Sequence, residues 1–267
     1  MLLPVMNLPP AALKSILLPK EHGSWSLAFE PVVLGLLVAS SAAGGALAAA
    51  VAAGFFTRRP LKLAVTLPAS DPRRAVAGWL ALTGAVLALA ALGFAASLGG
   101  GRALWPLLLA APFGAAFLWF DLRNEMREAE AELAGSIAFA LTPATFATLG
   151  GWAPGPALAL AGLTFARGVP TVLMVRTYLR IRKGEAVAWF PPLAAGTAAL
   201  LLVGGLWREQ LVPPAAVVLG AILWLRGAWL VSAFRPAWPA RQVGILEAVL
   251  GTVHVGVLAA AYAVFNP

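Results

Sequence analysis

Nine apolar runs dominate the chain, at about 24–40, 43–58, 76–97, 103–120, 133–151, 156–178, 188–206, 211–231 and 243–264. All but the first two are separated by charged residues or by glycine and proline. A run of about 20 apolar residues, coiled at 1.5 Å per residue, matches the ~30 Å hydrocarbon core of a bilayer. No charge lies between Pro31 and Thr57, so 24–57 reads as one span or two. A single straight helix there would be about 50 Å long, well beyond the core, and a turn at Ser40–Gly45 is preferred.

Composition excludes a soluble protein. Of the 267 residues 61% are apolar and 11% charged, with a mean hydropathy of +0.86, where soluble domains are about a quarter charged. The fold class expected is an all-α polytopic transmembrane bundle of about nine helices, 21–267 forming one transmembrane domain behind an interfacial segment, 1–20. With no cysteine and two histidines, thiol chemistry and a zinc site are not expected. The net charge of +8 fits basic cytoplasmic loops and does not point to nucleic acid.

Placing the N-terminus inside puts fifteen of the nineteen Lys and Arg residues in inward loops and two, Arg102 and Arg208, in outward ones. Arg167 and Arg226 fall within spans. This bias predicts an inner-membrane protein with its N-terminus in the cytoplasm and its C-terminus outside. Chemistry is then expected at inner helix ends or in a cavity open to the cytoplasm.

Four constellations stand out. The opening Lys20-Glu21-His22-Gly23-Ser24-Trp25 is either an interfacial cap with an aromatic anchor or a site for a titrating histidine. Two basic clusters share R-x-x-L-[KR]: Arg58, Arg59 and Lys62 after the second run, and Arg176, Arg180 and Arg182 after the sixth. They hint at a four-helix internal repeat. They are either topogenic charges or, given the planar guanidinium fork, a site for an anionic phosphate group. On a continuous helix, Asp121, Asn124, Glu125, Glu128, Glu132 and Gly135 would share one face. That stripe either neutralises the basic loops or, through Asp121, Asn124, Glu125 and Glu128, holds Mg²⁺. Last, Glu30, Arg167, Arg226, Glu247 and His254 are ionisable groups inside spans, expected to face inward and to pair, Glu30 or Glu247 with Arg167 or Arg226. With His22 they form the candidate cavity set. Gly244, Glu247, Gly251 and His254 share one helical face.

The E-H-G-x-W opening, Glu132-Leu133-Ala134-Gly135 and the R-x-R-K-G-E string at Arg180–Glu185 resemble the YwiC-like family of bacterial multi-spanning membrane proteins. That resemblance implies a membrane helix bundle and supplies no mechanism. More distantly, nine helices with polar motifs at the inner ends of the second and sixth resemble the UbiA-type prenyltransferases. In that architecture, aspartate-rich motifs at those places hold Mg²⁺ and a prenyl diphosphate. Here Arg58–Lys62 and Arg176–Lys183 stand there instead, and neither N-D-x-x-D nor D-x-x-x-D occurs. The expectation is a protein that binds a phosphate-bearing lipid or isoprenoid at a cytoplasm-facing cavity, as a divergent prenyltransferase-like enzyme. The alternative is a transporter or flippase-like carrier, or a non-catalytic assembly factor. Membrane lipids are the expected partners.

Overall fold

The computed structural model describes residues 10–17, 22–126 and 128–265, apart from the side chains of 10–12, 22–24 and 27. Lys20, Glu21, Arg127 and the side chain of His22 therefore lie outside the described residues. The elements are α1 (Pro10–Leu17), α2 (His22–Val38), α3 (Ala42–Thr66), α4 (Pro72–Gly99), α5 (Trp105–Leu122), α6 (Ala129–Ala140), α7 (Thr142–Leu149), α8 (Pro154–Arg182), α9 (Phe190–Arg208), α10 (Ala215–Val231) and α11 (Ala240–Tyr262). The described residues are helical with short connections, a 3₁₀ turn at Gly101–Leu104 leading into α5.

Six spans are long and apolar enough to cross a membrane: 72–99, 101–122, 129–149, 154–182, 190–208 and 240–262. The chain is a multi-pass membrane protein. Helices α2 and α10 are apolar but shorter, and α3 carries Arg58, Arg59 and Lys62 within its last three turns. With α6 and α7 taken as one span, the nine expected runs correspond to nine helical spans.

The region 24–57 is two helices. Chain direction changes at residues 39–41, and the Ser41 side chain caps α3 by accepting a hydrogen bond from the Gly44 N–H at 2.9 Å, satisfying a backbone donor that a helix start leaves open. Asp71 caps α4 in the same way through the Arg73 N–H, 2.9 Å away, with Pro72 at the first helical position, where its missing N–H costs nothing. The Arg73 guanidinium pairs with the same carboxylate at 2.6 Å and, together with that backbone bond, holds the Asp71 carboxyl below its usual range.

Helices α6 and α7 form one bent span at the centre of the bundle. The bend falls at Leu141 because Pro143 has no N–H to continue the ladder. The Thr164 hydroxyl, from α8, donates to the Ala140 carbonyl at 3.0 Å. Every residue of α7 is buried. Phe146, fully buried, lies against Gly35 of α2 and Gly44 of α3, where an added Cβ would meet its ring. These two glycines let three helices close around one aromatic. The perimeter is apolar: Leu89 of α4, Leu108 of α5 and Leu201 of α9 are each more than two-thirds exposed, as lipid-facing positions should be. Helix α1 docks on the α3–α4 hairpin, its Ile16 buried with Val76 and Ala77.

Candidate functional site

The two basic clusters each meet their own carboxylate. Arg58 and Lys62 of α3 share Asp121 at the end of α5, each at 2.9 Å. The Arg58 guanidinium also lies over the rings of Phe55 and Phe117, 5.7 and 5.2 Å from their centroids. Arg59 donates to the Ser15 carbonyl of α1 at 2.6 Å. At the other cluster Arg176 pairs with Glu132 of α6 at 3.0 Å and Arg180 with Glu185 at 2.7 Å, while Arg182 is exposed. Arg180 holds the Glu185 carboxyl below its usual range.

The acidic stripe is corrected. It assumed one helix through residues 121–135, but α5 ends at Leu122 and α6 begins at Ala129. The stop is a Schellman motif: Asn124 takes a left-handed conformation (φ 63°), its N–H donates to the Asp121 carbonyl at 3.1 Å, and the Glu125 N–H donates to the Phe120 carbonyl at 2.9 Å. Asparagine tolerates that conformation better than most residues. Asp121 therefore turns towards α3 and Glu132 towards α8, and Asp121, Asn124, Glu125 and Glu128 do not share one continuous helical face. Among the described residues no three His, Asp or Glu side chains gather where they could hold a metal ion. The same motif ends α8. Gly184 (φ 79°) donates to the Ile181 carbonyl at 2.9 Å and Glu185 to the Arg180 carbonyl at 3.1 Å. This return brings the Glu185 carboxylate back onto Arg180, so R-x-R-K-G-E is a helix stop with its own ion pair.

The ionisable groups inside the spans do come together. Arg167 of α8 makes a two-pronged contact with Glu30 of α2, Nε to Oε2 at 2.8 Å and Nη2 to Oε1 at 3.1 Å. Its Nη2 also donates to the Glu247 backbone carbonyl of α11 at 3.1 Å. The Glu247 carboxylate binds Arg226 of α10, whose Nη2 donates to the Thr171 hydroxyl of α8 at 3.2 Å. Four helices thus share a network of two cations and two anions. Glu30 lies midway along α2 and Arg167 near the middle of α8. An unpaired charge at such a depth would cost at least about 2.5 kcal/mol, and pairing removes most of that penalty.

Of the shared face on α11, Gly251 and His254 are buried and Gly244 is exposed. A Cβ on Gly251 would collide with the Glu30 carboxylate and the Arg167 guanidinium, whereas nothing lies within 4 Å of one on Gly244. Gly251→Ala should therefore spread the ion pair and cost about 1–3 kcal/mol, and Gly244→Ala no more than about 0.5 kcal/mol. Thermal unfolding of the two variants in the same detergent checks this; equal midpoints would refute it.

Beside the network, α8, α9 and α10 border a narrow cleft that is open on one side. Its walls are mostly apolar, among them Leu163, Met174, Leu193, Leu200, Val203 and Trp224. Arg167, Thr171, Arg226 and His254 supply its polar lining. Among the described residues, Nη1 of Arg167, Nε of Arg226, Oε2 of Glu247 and both ring nitrogens of His254 are buried without a hydrogen bond. Buried polar atoms are nearly always bonded, and here several unbonded ones gather beside one cleft. The α9 wall carried no sequence signal. Its leucines, alanines and Gly196 read like any lipid-facing helix, and the Trp224 indole N–H of α10 donates to its Thr197 at 3.0 Å.

Residues 18–147 match the model of the YwiC-like protein family. Over that stretch, about half of the chain, the protein is similar to the YwiC-like family. The matched segment begins before α2 and runs to the middle of α7. It carries Glu30, the first basic cluster, Asp121 and Glu132, while Arg167, Arg226, Glu247 and His254 follow it. No curated protein and no solved structure matches the chain.

Proposed function

We propose that this YwiC-like protein binds an amphiphile with an anionic head, a phosphate-bearing lipid or isoprenoid, in the cleft between α8, α9 and α10. The head would sit at Arg167, Thr171, Arg226 and His254 and the chain along the apolar walls. The observation that carries this reading is the set of buried, unbonded polar atoms around a cleft that is otherwise apolar. A membrane site commonly combines an apolar enclosure with a few convergent polar groups.

Carriage is favoured over prenyl transfer. The polar centre lies midway along the spans, where carriers hold their substrates. The carboxylates near the basic clusters, Asp121, Glu132 and Glu185, are each tied to a cation, which leaves them poorly placed to bridge metal ions to a diphosphate. The basic asymmetry supports an inner-membrane orientation with the N-terminus inside, 1–20 at the interface and 21–267 as one transmembrane domain. The exposed Arg182 and its neighbours would then meet lipid headgroups.

Ala199 lines the cleft, and Ala199→Trp should fill it. Native mass spectrometry of the full chain, extracted from membranes in mild detergent, is expected to show a retained anionic lipid or isoprenoid phosphate on the wild type. At least a tenfold lower occupancy is expected on Ala199→Trp. Equal occupancy on a folded variant would overturn the cleft as the site.

A further inference from the structure

We infer that an anionic head taken into this cleft is accompanied by one proton, which His254 accepts. The inference rests on the cleft reading above and adds the charge balance of that site. The guanidinium groups of Arg167 and Arg226 are already matched by the carboxylates of Glu30 and Glu247, so the four fixed charges sum to zero. A bare anion would leave the site with an uncompensated negative charge in low-dielectric surroundings, which is strongly unfavourable. A proton taken up with it restores neutrality.

His254 is placed to hold that proton. It lines the cleft, is 6% exposed, and neither ring nitrogen is bonded. An imidazole is neutral or cationic according to the charges beside it and, once protonated, donates from both nitrogens. The charged groups around the site come from each packed element: Glu30 from α2, Arg167 from α8, Arg226 from α10, and Glu247 two turns earlier on α11. The α9 wall is made of Pro192, Leu193, Gly196, Ala199, Leu200 and Val203 and carries no titratable group. Tyr262, also buried, lies about two turns beyond His254 on α11. The step moves one proton from the buffer acid or hydronium to an imidazole nitrogen as the anion arrives: the donor's bond to that hydrogen breaks, an N–H bond forms, and the donor's conjugate base stays in solution.

The test is calorimetric titration of the full chain in nanodiscs with dihexanoylphosphatidylglycerol, a monoanion, in two buffers of different ionisation enthalpy. Dihexanoylglycerol serves as the uncharged comparator and empty nanodiscs as the blank. The wild type is expected to take up about one proton per phosphatidylglycerol bound, and none with the uncharged lipid. His254→Gln is expected to reduce that uptake to near zero and to weaken binding of the anion at least tenfold. Saturable binding of the anion by the wild type with no proton uptake would overturn the inference and leave the cleft reading standing. Uptake that persists in His254→Gln would overturn the assignment to His254. Absence of saturable binding of either lipid would overturn the cleft reading and the inference together. Should His254→Gln fail to fold, the wild-type proton count still decides whether the charge balance holds.

Discussion

Arg167→Met is expected to destabilise the protein by about 3–5 kcal/mol, because it leaves the Glu30 carboxylate in the middle of the bundle without its cation. The loss includes two bonds to Glu30 and one to the Glu247 carbonyl. The size of the effect comes chiefly from the stranded charge. Removing both partners with Arg167→Met and Glu30→Leu should therefore recover most of the stability, since a well-packed apolar pair can replace a buried ion pair at little cost. Reversible unfolding in mixed micelles, followed for the wild type, both single variants and the double variant, measures the coupling. A coupling below about 0.5 kcal/mol would show that the pair is not a unit. The charge reversal Arg167→Glu with Glu30→Arg is a stricter version, since the Glu247 carbonyl offers nothing to a carboxylate.

Asp121→Asn should have the next largest effect, about 3 kcal/mol. Asp121 is 3% exposed and compensates both Arg58 and Lys62 from the end of α5. Asparagine keeps the shape and discards the charge that Arg58 and Lys62 share. The damage should be local at first, with α5 loosening from α3 before the rest unfolds. Thermal unfolding combined with limited proteolysis in residues 123–128 reads both aspects. Asp121→Glu, which keeps the charge, should recover at least half the loss. No change in protease sensitivity with Asp121→Asn would argue that the carboxylate does not hold the two helices together.

Much of the fold was legible because membrane spans write themselves as long apolar runs. The division of 24–57 followed from length alone, and Ser41 supplied the cap. The ionisable set within the spans was legible too, because a charge at that depth has few reasons to be there. Partner choice among Glu30, Glu247, Arg167 and Arg226 was not, since it depends on which helices lie side by side. The acidic stripe misled because a helical face was projected across residues 123–128. The stop signal was nonetheless present: Arg123-Asn124-Glu125 and Lys183-Gly184-Glu185 are both a basic residue, a residue at ease in the left-handed conformation, and a glutamate. The kink at Pro143 was likewise visible as a proline and read through as a continuous span. The cleft left no trace, because leucine, alanine and glycine look alike whether they face lipid or a ligand.

The Glu30–Arg167 contact has a consequence for biosynthesis. Its two partners are separated by 137 residues. At about 5–20 residues per second of synthesis, Glu30 waits roughly 7–27 seconds in the membrane before its cation emerges. During that interval α2 carries a charge whose insertion alone costs about 2.5–3.5 kcal/mol. The half-made protein therefore carries an insertion cost that the finished one has offset by pairing. A chain truncated before α8 never leaves that state.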